Sequence, residues 1–202
     1  KEVARESPRP PLPQTPRHSP PPIPLVKPAI QTDAVPSLGE AADVPAIWVN
    51  KANPEQSLVL GTDKQGGLVV YDLKGKTQQF LPVGRLNNVD VRHGLHFNGK
   101  QIDLAVASNR DHNSLHVFAI DPASRLVTEM GEVSTTAKDI YGWCMYKTKQ
   151  GEIYTIVNDK DGRFFQYQMQ DKQGKIAGEL VREFKVATQP EGCVADDKHD
   201  RL

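Results

Sequence analysis

From about residue 41 onward, apolar and polar positions form short runs of strand length. Ala46-Ile-Trp-Val49, Ser57-Leu-Val-Leu60, Leu68-Val-Val-Tyr71, Leu104-Ala-Val-Ala107, Leu115-His-Val-Phe-Ala-Ile120, Glu152-Ile-Tyr-Thr-Ile-Val157 and Phe164-Phe-Gln-Tyr167 are rich in β-branched and aromatic residues. Turn-forming pairs separate them, among them Asn53-Pro54, Gly66-Gly67, Asn98-Gly99, Asp121-Pro122, Asp161-Gly162 and Gln173-Gly174. No stretch carries a long, capped 3.6-residue periodicity, so the pattern predicts an all-β domain.

Three hairpins repeat one plan. Leu60 to Tyr71, Ala107 to Phe118 and Val157 to Tyr167 each run as apolar strand, polar pair, cation, turn, and apolar strand ending in an aromatic. The cations stand at 64, 110 and 160, a spacing that suits a propeller blade of about 40–50 residues. A further strand precedes each hairpin, at Pro45 to Val49, Val89 to Arg92 and Tyr141 to Tyr146, and a fourth blade is expected to open at Glu191 to Ala195. The fold expected is a β-propeller fragment of about three blades plus the start of a fourth. In antiparallel neighbours, the start of one strand and the end of the next share an edge. Asp43, Asn88, Tyr141 and Glu191 should therefore lie at the same end as Lys64, Arg110 and Lys160, around the mouth of a central channel. Three cations, a phenol and two carboxylates suit a phosphate-rich ligand and a hard metal ion.

Residues 1–40 have a different composition. Eleven of the 16 prolines lie there, which predicts a disordered, polyproline-rich linker ahead of a domain over 41–202. Lys1 in place of Met and the uncapped end at Leu202 give the expectation of a piece from a longer protein, so a missing signal peptide says little about location. Lys+Arg and Asp+Glu both number 25, and this balance gives no reason to expect a nucleic-acid partner. No run approaches the roughly 18 apolar residues of a membrane helix, so membrane insertion is not expected. Cys144 and Cys193 lie in no zinc-type cluster and are read as two small core residues, with a disulfide between them left open. Trp48 and Trp143 are read as core aromatics. The six histidines form no pair at metal spacing and receive no role, and Asn87 and Asn88 are equally open to a structural or a donor role.

The sequence resembles the β-propeller phytases, calcium-dependent enzymes that remove phosphate from inositol hexakisphosphate. The resemblance is carried in order by Gly39-Glu-Ala-Ala-Asp-Val-Pro-Ala-Ile-Trp48, Gly61-Thr-Asp-Lys-Gln-Gly-Gly-Leu-Val-Val-Tyr-Asp72, Leu86-Asn-Asn-Val-Asp-Val-Arg92, Ala107-Ser-Asn-Arg110, Tyr141-Gly142, Lys160-Asp-Gly162 and Glu191-Gly-Cys-Val-Ala-Asp-Asp197. It implies a six-bladed propeller in the family and phosphomonoester hydrolysis of phytate. It also implies phosphate contacts from Lys64, Arg110, Tyr141 and Lys160, an acidic residue of the same site at Asp161, catalytic calcium held by Asp43 and Glu191, and a structural calcium held at position 44 with the backbone near Pro45 and Val89. Val44 replaces a second Asp of the family pattern, which removes one carboxylate from a structural calcium site. A secreted or periplasmic location, and a monomer when full length, are also implied. The alternative is a non-catalytic or partial propeller that binds a phosphorylated ligand without turnover. The Gly-His and Trp-Asp signatures of protein-interaction propellers are absent.

Overall fold

The computed structural model describes residues 23–202. Twelve strands run in chain order: β1 (Ala42–Trp48), β2 (Leu58–Asp63), β3 (Gly67–Asp72), β4 (Thr77–Leu81), β5 (Leu86–Phe97), β6 (Lys100–Asn109), β7 (Ser114–Ile120), β8 (Val127–Ser134), β9 (Ile140–Lys147), β10 (Ile153–Asp159), β11 (Arg163–Lys172) and β12 (Lys175–Lys185). They form three four-stranded sheets, β1–β4, β5–β8 and β9–β12, each paired antiparallel in sequence order. This is the all-β architecture expected of about three propeller blades. The first strands of successive sheets touch, β1 against β5 and β5 against β9, which makes them the inner edge of the array.

The core lies between blades. Trp48, Leu58, Leu60, Leu68 and Val70 of the first blade pack on Leu86, Val89, Val91, Ala105, Ala107 and Phe118 of the second. The second blade's other face, with Leu104, Val106, Leu115 and Val117, meets Trp143, Met145, Val157, Phe165 and Tyr167 of the third. The run Leu104 to Ala107 is apolar without alternation because β6 is buried on both faces. Trp48 and Trp143 are buried, as expected of core aromatics. The flanking blades keep apolar residues in solvent, with Ile47 63% exposed on β1 and Val181 46% exposed on β12.

Three sequence expectations need amendment. The outer strands β4, β8 and β12 did not stand out as apolar runs, because most of their residues are exposed or half-buried and carry little periodicity. Glu191 to Ala195 forms no strand; only an isolated bridge, Asp196 to Arg201, follows it. The cysteines are paired as a Cys144–Cys193 disulfide rather than serving as two separate core residues. Of the expected linker, residues 1–22 lie outside the described residues. Residues 23–40 contain no strand, yet their last part is fixed to the first blade. The Asp33 N–H donates to Gly75 O (2.7 Å), and its carboxylate accepts from Lys76 Nζ (2.9 Å) and Thr77 N (3.0 Å). The Thr77 backbone N–H and the Lys76 ammonium hold the Asp33 carboxyl below the usual range.

Candidate functional site

One irregularity recurs at the same end of all three blades. In the first, Ala42 faces Asp63 and Pro45 faces Gly61, so Asp43 and Val44 oppose Thr62 alone. In the second, Leu86 faces Asn109 and Val89 faces Ala107, so Asn87 and Asn88 oppose Ser108. In the third, Ile140 faces Asp159 and Trp143 faces Val157, so Tyr141 and Gly142 oppose Asn158. Each is a β-bulge, which adds a residue to the inner strand and re-aims its side chains. Asp43, Asn87 and Tyr141 are therefore equivalent; the reading that matched Asn88 to Asp43 and Tyr141 is off by one residue.

The opposing residues explain why the bulge is stable. Thr62, Ser108 and Asn158 are buried and polar, and each bonds to the backbone of the second bulge residue. Thr62 Oγ1 donates to Val44 O (3.5 Å) and, more strongly, to Asn87 O (2.7 Å). Ser108 Oγ accepts from Asn88 N (3.2 Å), and Asn158 Oδ1 accepts from Gly142 N (3.0 Å). Groups displaced from the ladder thus keep partners, as buried backbone requires. Asn87 Nδ2 donates to Tyr141 O (3.2 Å) and Asn88 Oδ1 (2.7 Å), while Trp143 Nε1 donates to Asn88 O (3.2 Å). These contacts give both asparagines a structural part in tying the ends of β5 and β9 together.

The next residue in each repeat is also buried and polar. Asp63 accepts from Ser37 N (3.0 Å) and Gln65 N (2.9 Å). Asn109 accepts from Asp111 N (2.8 Å) and donates to Val83 O (3.2 Å). Asp159 accepts from Lys138 N (3.0 Å) and Asp139 N (2.8 Å). Each pins the segment that enters its blade. The cation follows at once, with Lys64 N bonded to Ala41 O (2.7 Å) and Arg110 N to Arg85 O (2.9 Å). Among the described residues, neither the Lys64 nor the Arg110 side chain forms an ion pair, whereas Lys160 Nζ lies 2.8 Å from Asp139 Oδ2. That pair is exposed on both sides and adds little stability, so an incoming dianion can displace it. Asp139 has no apolar pattern to mark it and was not singled out from sequence.

The structure joins Lys160, Tyr141 and Glu191. Lys160 Nζ stands 5.6 Å from the Tyr141 ring centroid, and the Tyr141 hydroxyl donates to Glu191 Oε2 (3.3 Å). Asp161 is turned to Arg163, accepting from its backbone N (3.0 Å) and Nε (2.8 Å). Those two donors hold its carboxyl below the usual range. Asp43 is exposed, and Val89 is buried by its side chain, so only its backbone could serve a ligand. Asp43 and Glu191 supply oxygen donors of the type calcium takes. No three Asp, Glu, His or Cys groups converge into a metal cage among the described residues. Oxygen donors are present without an assembled cage among the described residues.

A family model for phytase matches residues 24–202. The chain belongs to the phytase family. It is 43% identical over 180 residues to a 3-phytase of Bacillus subtilis (strain 168), an alignment that covers 85% of this chain and 47% of that relative. The chain thus spans about half the length of the curated phytase it matches.

Gly142 is a phytase-chain residue whose importance appears only in three dimensions. A Cβ there would stand 2.0 Å from Glu191 O, so the Glu191 segment rests directly on the bulge backbone. Gly142→Ala is expected to push that segment away and to cost about 1–3 kcal/mol, as overpacking does. Thermal denaturation of the full-length protein measures it; an unchanged midpoint would show that the segment does not rest there.

Proposed function

We propose that this chain carries the N-terminal part of the propeller domain of an enzyme that hydrolyses phosphomonoesters of inositol hexakisphosphate with calcium. The observation that carries the reading is the placement of Lys64, Arg110 and Lys160, each directly after the buried residue that pins the entering segment, at one end of three adjacent blades. The cations can each neutralise a phosphate oxygen, and Arg110 can do so through two parallel N–H donors. Tyr141 offers a hydroxyl to a phosphate oxygen once it turns from Glu191. Fixed donors of this kind stabilise charge spread over the phosphoryl oxygens as water displaces the inositol oxygen. Calcium, when bound by Asp43 and Glu191, would offset phosphate charge and make bound water more acidic, and the backbone near Pro45 and Val89 would hold a separate structural calcium. Asp161 enters this reading as an acidic neighbour of Lys160 that must leave Arg163 to reach substrate.

No helix among the described residues is long and apolar enough to cross a membrane. The Cys144–Cys193 disulfide supports a secreted or periplasmic location, where such bonds persist. The zero net charge gives no reason to expect a nucleic-acid partner, and the phytase likeness supports a small-molecule substrate; a monomer when full length stays an expectation from the family resemblance. The lack of a converged cage among the described residues and Val44 in place of a family Asp favour one second reading, a propeller that binds a phosphorylated ligand without turnover.

Phosphate release from phytate separates the two. The full-length protein with saturating calcium is expected to release phosphate, and chelation is expected to stop it. The 202-residue chain alone is expected to release little or none. Phytate binding by calorimetry with no release from the full-length protein would leave only the second reading.

A further inference from the structure

We propose that the Cys144–Cys193 disulfide is the positioning element for Glu191, so that reduction of this bond releases the carboxylate from the phosphate end of the blades. The inference rests on the proposed function for its consequence, but its geometry is independent of it.

Glu191 belongs to a stretch with no β ladder to hold it. Its side chain is exposed, and its one hydrogen bond among the described residues is the 3.3 Å contact with the Tyr141 hydroxyl. Downstream, Asp197 is anchored by Arg92 Nε (2.8 Å) and by the Lys147 N–H (3.2 Å). Arg92 is itself fixed to Asp90 (2.9 Å) and Met145 O (2.6 Å), so this anchor is firm. Upstream, the Val186 N–H donates to Gly162 O (3.0 Å). Between those two anchors lie ten residues, and the disulfide is the covalent tie within them. Cys193 follows Glu191 by two positions, and Cys144 follows Gly142 by two. The bond therefore locks the Glu191 backbone against the side-chain-free Gly142, beside Tyr141. The Cα atoms of the two cysteines are 5.4 Å apart, and Cys144 sits in a small apolar cluster with Ile156 and Phe164. A buried anchor on β9 thus holds a segment that would otherwise keep the freedom of a loop.

Reduction passes two electrons and two protons from a dithiol such as dithiothreitol to the S–S bond. Two protein thiols form, and the reagent becomes its own disulfide. The full-length protein should be compared oxidised, reduced with dithiothreitol, and as C144A/C193A, with far-ultraviolet circular dichroism confirming the fold. Amide hydrogen exchange over residues 189–197 is expected to accelerate without the bond, while β5–β7 keep their protection. Calcium affinity by calorimetry is expected to fall ~10–100-fold, the usual loss when the support of a ligand is removed. Glu191→Gln is expected to lower affinity in the oxidised protein and to add nothing in C144A/C193A, a non-additivity that a merely stabilising bond would not give. Equal exchange over 189–197 with and without the bond would overturn the proposal, whatever the activity. Accelerated exchange in a protein that never hydrolyses phytate would uphold the positioning and remove the functional reading instead. If C144A/C193A fails to fold, the reduced and reoxidised protein gives the same comparison.

Discussion

Replacing Lys160 by alanine in the full-length protein is expected to lower kcat for phytate ~10²–10³-fold, the loss typical of one preorganised donor in an anion-stabilising site. The loss is expected to be clearest at Lys160 because its ammonium stands near the Tyr141 ring, whose hydroxyl in turn contacts Glu191. Its ammonium is paired to exposed Asp139, so removal leaves no buried charge behind and the fold is expected to survive. Steady-state phosphate release checks it. A fall in kcat with an unchanged KM assigns Lys160 to the transition state; a raised KM alone assigns it to uniform substrate binding. No change in either would remove Lys160 from the site.

Asp159→Ala is expected to act on stability rather than on the phosphate contacts. Asp159 is 2% exposed and accepts from the Lys138 and Asp139 backbone N–H groups and from Arg163 Nη2 (3.3 Å). Alanine would remove the acceptor of these two part-buried backbone donors, at roughly 1–3 kcal/mol for each. A total near 2–5 kcal/mol is a large share of the stability of an ordinary domain. Asp159→Asn should recover only part of it, since Asp159 accepts the two N–H bonds on separate oxygens and an amide keeps one acceptor oxygen, as Asn109 does at the matching position of the second blade. Urea denaturation of the full-length protein reads both variants. Equal midpoints for alanine and wild type would show that the entering segment is held by other contacts.

The comparison of Asp63, Asn109 and Asp159 shows how far sequence reasoning reaches. Each repeat is visible as an apolar strand, a polar pair and a cation, because burial on a sheet enforces a local pattern. The three blades, the buried tryptophans and the placement of Lys64, Arg110 and Lys160 at the ends of second strands follow from that pattern. The polar pair itself is visible but mute. Its first member braces a bulge and its second pins the segment entering the blade, and both tasks involve backbone atoms distant along the chain.

The sequence by itself determined the repeat, its period, the family motifs and the order of the candidate phosphate contacts. The tertiary structure decided the two-for-one bulges, the register that makes Asn87 the counterpart of Tyr141, the approach of Glu191 to Gly142, and the Cys144–Cys193 bond across 49 residues. The physical reason is range. Period-two burial is fixed by near neighbours along the chain, whereas a bulge, a close backbone approach and a disulfide depend on which strand lies opposite.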